Sequence, residues 1–326
     1  MNKRILGNSV FQITEIGLGT WQLGGDFGKL EEKTGLEILN KAVDQGINFF
    51  DTADVYGAGR SEEIIGRFLK TSNSDIYVVT KYGRDDSVYP DNYTPESLRK
   101  CVEASIKRIG VDALDLLQLH CIPQNYLEEG SIFDFLRDLK KEGLIKNFGA
   151  SVETMEEARI CMKQDDLTSL QIIFNIFRQD PITEIFDEAQ NKNIGIIVRL
   201  PLASGLLAGK YTVDTTFEPQ DHRNYNADGE AFSVGETFSG IPFSKGLGLV
   251  EDIRKLVSEN LSMAQFALRW ILDHPAVSTI IAGATKIYQV ESNIGASLAA
   301  PLSGDTHKKL KDLYFSKVEA QIRGRF

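Results

Sequence analysis

Eight short apolar runs recur along the chain, at 16–19, 48–51, 76–81, 114–120, 147–151, 170–175, 195–200 and 279–282. Between them lie longer stretches with helical spacing of apolar residues, at 32–45, 61–70, 95–109, 131–142, 153–164, 182–193 and 261–273, with more after the last run. Short continuous apolar runs are the mark of strands buried on both faces, which in practice means parallel strands joined by helical crossovers. Eight such units are the number that closes a parallel sheet into a (β/α)8 TIM barrel, with an open doubly wound sheet as the structural competitor. Local signals agree. Thr94-Pro95-Glu96 places an N-cap before a proline at the first helical position, and Gly46, Gly110, Gly143 and Gly195 are expected where helices end.

Two segments break the rhythm. Residues 4–6 and 11–13 flank Gly7-Asn8 and predict an N-terminal β-hairpin that caps the barrel bottom. The aperiodic stretch from about 210 to 245, after strand 7, is rich in Gly, Pro, Asn and Asp and predicts a long loop of lid or binding type. The 326 residues exceed the roughly 250 typical of such a barrel, so a single domain over 1–326 with loop insertions is expected. A net charge of −10 disfavours the broad basic face that nucleic acid requires. Met1-Asn2-Lys3-Arg4 is not followed by an apolar run, and no stretch is long enough to span a bilayer. Cys101, Cys121 and Cys161 are odd in number and form no metal or redox pair in sequence. The expectation is a cytoplasmic chain with reduced thiols, no metal, and neither nucleic acid nor membrane as a partner; no oligomeric state is assigned.

In a barrel, function gathers where strands end and βα loops begin. Asp51 ends the second run, Tyr56 follows in its loop, Lys81 ends the third and His120 ends the fourth. Singly, each has an ordinary reading: a rim lysine, a structural histidine, a packed tyrosine. Together they converge on one mouth, and their chemistry interlocks. A free phenol, with a pKa near ~10, is a poor acid at neutral pH. A neighbouring ammonium lowers that value. Lys81 supplies the charge, Asp51 keeps it charged and oriented, and His120 can fix a carbonyl by hydrogen bond. Such a set suits protonation of a carbonyl oxygen while hydride arrives at carbon. Trp21, Tyr82, Tyr89 and Tyr93, beside Arg84, Asp85 and Asp86, are candidates for the substrate pocket, with surface packing as the alternative.

Asp51-Thr52-Ala53-Asp54-Val55-Tyr56-Gly57 with Gly59-Arg60-Ser61-Glu62, and Leu114-Asp115-Leu116-Leu117-Gln118-Leu119-His120, resemble the signature of the aldo/keto reductase superfamily. The resemblance runs from about residue 3 to 320. It implies that Tyr56 is the general acid, tuned by Lys81 and Asp51, and that His120 orients the carbonyl of a small aldehyde, ketone or sugar substrate. It also implies a nicotinamide cofactor. Gly149-Ala150-Ser151-Val152 is similar to the segment holding the nicotinamide amide, with Val152 in place of the usual Asn. Gln171 and Asn175 sit at family positions, Gln171 at the carboxamide contact. Arg199, before Leu200-Pro201-Leu202, replaces the aromatic residue that stacks on nicotinamide. It is read as a stacking guanidinium, as a cation for the substrate, or as one half of an ion pair.

By the same resemblance Gly19, Thr20 and Trp21 face the cofactor. Pro201 and the segment 202–210, with Leu202, Ser204, Gly205, Leu206 and Lys210, run along the pyrophosphate, where small residues let N–H groups approach. Gly283, Thr285, Lys286, Gln289 and Asn293 surround the adenosine at a helix N-terminus. NADP(H) is favoured through Thr285 and Lys286. NAD(H) stays open, because Gln289 and Ser292 stand where relatives often carry Arg and Glu. Two other motifs fail on inspection: Gly17-Leu18-Gly19-Thr20-Trp21-Gln22 lacks the third glycine of a dinucleotide fingerprint, and Gly205–Tyr211 is one residue short of a P-loop. The competing functions are a nucleotide-sensing regulatory subunit resembling channel β-subunits and an unrelated barrel lyase or isomerase.

Overall fold

A computed structural model describes residues 1–324. Strands β1 (Lys3–Ile5) and β2 (Gln12–Thr14) pair antiparallel. The barrel strands are β3 (Ile16–Gly19), β4 (Phe49–Asp51), β5 (Tyr77–Tyr82), β6 (Leu114–His120), β7 (Ile145–Ser151), β8 (Ser169–Ile173), β9 (Gly195–Arg199) and β10 (Val277–Gly283). All eight are parallel, and β10 pairs with β3 to close the cylinder. The expected barrel, hairpin and long loop after the seventh barrel strand are all present.

Alternation along each strand sorts side chains between the lumen and the helix layer. Phe49, Val79, Leu116, Ile197 and Ile281 fill the lumen and join Leu6, Phe11 and Ile13 of the hairpin in one buried cluster. The hairpin is therefore a plug in the floor. One layer higher the inward positions turn polar: Asp51, Lys81, Gln118, Ser151 and Gln171 are all buried. The change from apolar to polar along the same strands puts the chemistry at their C-terminal ends.

Helix ends follow their local chemistry. Thr94, Thr154 and Ser262 each accept a backbone N–H and form a capping box. Gly46, Gly110 and Gly143 terminate helices with positive φ, as expected. Gly195 does not. It opens β9, and the left-handed turn after helix Phe186–Asn191 falls to Asn193 at φ +56°. Gly195 is small for another reason: a Cβ there would come within 2.6 Å of Leu6 Cδ1, so its bareness lets the hairpin dock.

Two further departures concern helices. The expected helix 182–193 is broken into Pro181–Glu184 and Phe186–Asn191. The loop after β9 contains a helix, Phe243–Arg254, that the sequence does not advertise. Gly246 and Gly248 weaken its propensity by about 1 kcal/mol each, and it forms because Gly246 packs directly against Leu206. Among the described residues no helix is long and apolar enough to cross a membrane.

Candidate active site

The end of β4 and the end of β5 bring Asp51 and Lys81 together deep in the mouth, each with a side chain about 1% exposed. Lys81 Nζ donates to Asp51 Oδ1 at 2.6 Å and to the Thr52 carbonyl at 2.7 Å. Its third direction meets Tyr56 Oη at 3.4 Å. The second Asp51 oxygen accepts from Gln171 Nε2 at 2.7 Å. Burial works against the Lys81 ammonium, yet the charges and hydrogen bonds of Asp51 and Tyr56 carry its pKa above the usual lysine value. The lysine is a fixed cation.

His120, at the end of β6, presents its ring edge to Tyr56, with centroids 6.0 Å apart and planes at 84°. Burial, reinforced by Arg84, Lys81 and Arg199, holds its pKa well below the usual histidine range, so the imidazole is neutral at physiological pH. Its Nδ1 has no partner among the described residues. Tyr56 departs from expectation in one respect. Lys81 does pull its phenol down, but burial outweighs that pull and the net direction is upward. Tyr56 waits as a protonated phenol, with Trp21 stacked on it at 5.8 Å.

These groups open on a cavity of about 1010 Å³. Asp51, Tyr56, His120, Gly19, Thr20 and Trp21 lie on its wall. So do Gln171, Arg199, Pro201, Leu202, Ser204 and Gly205 on one side, and Lys210, Gly283, Thr285 and Gln289 on another. Lys81, Ser151, Leu206, Lys286 and Asn293 are not among the residues lining the cavity. Ser151 Oγ lies 3.5 Å from Gln171 Oε1, Leu206 belongs to the main hydrophobic core, Lys286 is exposed, and Asn293 is buried on helix Ile287–Leu298. Asn175 is wholly structural. Its amide donates to the Leu200 carbonyl and Ser239 Oγ, and its oxygen accepts from the Phe177 N–H.

Leu200, Ala203, Ser204 and Gly205 have φ of +51°, +47°, +53° and +96°. Left-handed residues of this kind are strained and cluster at functional sites, and here the N–H groups of Ala203 and Gly205 are spent on the carbonyls of Leu200 and Leu202. At Gly205 a Cβ would meet Tyr211 Oη at 2.3 Å. Across the cavity, Gln289 Oε1 accepts the N–H groups of Thr285 at 2.7 Å and Lys286 at 3.0 Å, so this chain caps the helix N-terminus with its own amide. A cavity of this size, with a turn of small residues and Lys210 at one side and a phenol, ammonium and imidazole at its base, fits a nicotinamide nucleotide.

Arg199 takes the ion-pair reading: it lies 3.4 Å from Glu236 and donates to the Val152 carbonyl at 3.1 Å. Arg84 and Tyr89 line the cavity as expected. Tyr82 and Tyr93 do not. Both are buried in packing, with hydroxyls on Ser97 and the Gly83 carbonyl. Several wall residues went unanticipated. Glu236 and Phe232 come from the long loop, and Asp26 ties that loop down by accepting from Trp21 Nε1, Tyr225 Oη and the His222 N–H. The only sequence signal for them is the length of the loop itself. Cys121, Glu153 and Glu236 offer ligand atoms within 4.8 Å of one another, but both carboxylates are already engaged by guanidinium groups.

The comparisons agree with this architecture. Residues 15–314 match the model of the Aldo/keto reductase family, and the chain belongs to that family of oxidoreductases acting on carbonyl or alcohol substrates. It is 32% identical over 320 residues to the uncharacterized oxidoreductase YqkF of Bacillus subtilis (strain 168), covering 95% of this chain and 96% of that one. It is 29% identical to the NADH-specific methylglyoxal reductase of Escherichia coli (strain K12), over 91% and 93% of the two chains. The glycerol dehydrogenase AKR11B4 from Gluconobacter oxydans superposes with a TM-score of 0.80 at 29% identity, covering 100% of this chain and 98% of that one.

Proposed function

We propose that this chain is a nicotinamide-dependent reductase that converts an aldehyde or ketone to an alcohol, or runs the reverse, with Tyr56 as the proton carrier at the carbonyl oxygen. The observation that carries the reading is Lys81 Nζ lying between Asp51 Oδ1 at 2.6 Å and Tyr56 Oη at 3.4 Å. The bound nucleotide supplies hydride chemistry at the carbonyl carbon. The chain does the rest. Burial keeps Tyr56 protonated until a substrate oxygen needs the proton, and the phenolate left behind faces a fixed ammonium. Asp51, steadied by Gln171, holds that ammonium in place. Neutral His120 has a ring N–H to offer the substrate oxygen without competing for its proton.

On this reading Ser151 and Gln171 serve a carboxamide, and Arg199, held by Glu236, borders the nicotinamide ring. The turn from Leu202 to Gly205, with Pro201, Leu206 and Lys210, serves the pyrophosphate. Gly283, Thr285, Lys286, Gln289 and Asn293 serve the adenosine. NADP(H) is the favoured form, with Lys286 as the cation for a 2′-phosphate, and NAD(H) is the alternative; the similarity to an NADH-specific reductase keeps both in the test. We read residues 1–326 as one barrel domain acting in the cytoplasm on a small carbonyl or sugar, without nucleic acid or membrane as partner. Loss of nucleotide absorbance with a panel of aldehydes, using NADPH and NADH in parallel, tests the proposal. Turnover with one or both is expected; no turnover and no nucleotide binding overturns it and returns the regulatory-subunit and lyase readings.

A further inference from the structure

The long loop after β9 returns one carboxylate to the mouth of the barrel, and two cations from different strands close on it. Glu236 ends a short helical turn, Val234–Glu236, and is 3% exposed. Its two oxygens accept from Arg84, which follows β5, at 2.5 and 3.2 Å. Glu236 Oε1 also lies 3.4 Å from Nη1 of Arg199, the last residue of β9. Burial opposes the charge, yet the two guanidiniums hold the Glu236 carboxyl down at about 2, so it is ionised at neutral pH. Arg84 and Arg199 repel one another, and the carboxylate they share lets both stand in one cavity wall.

Arg199 has few other restraints. Its Nη2 donates to the Val152 carbonyl at 3.1 Å and meets Cys121 Sγ at 3.6 Å, and its Nε has no partner among the described residues. The plane of its guanidinium therefore depends on Glu236. The main chain of the loop is seated by different contacts. Ser204 Oγ donates to the Glu236 carbonyl at 3.3 Å and accepts from the Phe238 N–H at 3.1 Å, while Ser239 Oγ accepts from Asn175 Nδ2 at 2.9 Å. Glu236 thus joins two parts of the cavity wall through separate atoms: its backbone to the turn at Ser204, its carboxylate to Arg199. Removing the carboxylate alone leaves the first link intact.

We propose that Glu236 is a positioning residue that fixes the Arg199 guanidinium for the nicotinamide end of the nucleotide, through the ion-pair chain Arg84–Glu236–Arg199. This rests on the carbonyl-reductase reading above. The experiment measures dissociation constants by titration calorimetry for NADPH and NADH, and for ADP-ribose and its 2′-phosphate, which lack nicotinamide. Glu236→Gln should weaken the better dinucleotide at least tenfold and its nicotinamide-free counterpart less than twofold. Glu236→Asp, which keeps the charge, should recover most of the lost affinity. With nucleotide saturating, kcat for propanal should fall at least tenfold in Glu236→Gln, with KM for propanal changed less than threefold. Arg84→Met breaks the chain from outside the loop and should show the same selective loss, so the test survives if Glu236→Gln fails to fold. Equal weakening of both kinds of ligand, or unchanged affinity for all of them, overturns the inference while leaving carbonyl reduction standing. Failure of the wild-type chain to bind either dinucleotide removes the underlying reading instead.

Discussion

Replacing Lys81 by Met keeps most of the side-chain volume and removes the charge. In wild type the ammonium sits 2.6 Å from Asp51 at about 1% exposure. At that distance and an effective dielectric constant of ~20 the attraction is roughly 6 kcal/mol. Desolvation of the two ions offsets much of it, and removal of one partner of a buried pair typically costs about 3–5 kcal/mol. Burial already raises the Asp51 pKa in wild type, against the pull of Lys81; in Lys81→Met the carboxylate keeps only Gln171 Nε2 as a side-chain donor, so its pKa rises further above the unfolded value of about 4. A carboxyl with a raised folded pKa loses stability as pH rises through the window between the two values. The deficit relative to wild type is therefore full at pH 8 and shrinks towards pH 4. Urea unfolding of wild type, Lys81→Met, Asp51→Asn and the double variant at both pH values measures this. The double variant should recover about 2 kcal/mol or more relative to the sum of the singles. A Lys81→Met deficit under ~1 kcal/mol at pH 8, no change with pH, or additive singles would refute the buried ion pair.

Asp54, in the same loop as Tyr56, has its carboxyl pushed up to about 6 by burial. Its ionised form thus costs about 3 kcal/mol in the folded state at pH 8 and nothing at pH 4; Asp54→Asn should be the more stable protein at pH 8 and equal to wild type at pH 4, and a pH-independent difference would contradict this. Gly205→Ala places a methyl within 2.3 Å of Tyr211 Oη at a φ of +96°. A stability loss of about 1–3 kcal/mol is expected, with weaker nucleotide binding by fluorescence titration; an unchanged urea midpoint counts against this turn as a strained element.

Much of this molecule is legible in its residues. The eight strands and their order follow from apolar runs whose C-terminal polar residue marks the mouth, which is why Asp51, Lys81 and His120 could be placed before any fold was seen. Tyr56 sits in a loop and is found through the company of its motif. Other features depend on contacts no local pattern encodes. Arg84 and Glu236 are 152 positions apart and meet only because an aperiodic loop folds back over the barrel. Helix Phe243–Arg254 carries two glycines, so packing rather than propensity decides it. Gly195 mimics a helix stop, while its actual service is to let the hairpin approach. The upward direction of the Tyr56 pKa comes from burial, a quantity that spacing cannot supply.

The central claim is that Tyr56 carries the proton. Tyr56→Phe deletes one oxygen, and single-turnover reduction of the best aldehyde by pre-bound nucleotide isolates the step in which that oxygen would act. The account predicts a fall of about 10²–10⁴-fold in that rate with nucleotide affinity retained. A rate equal to wild type would contradict it.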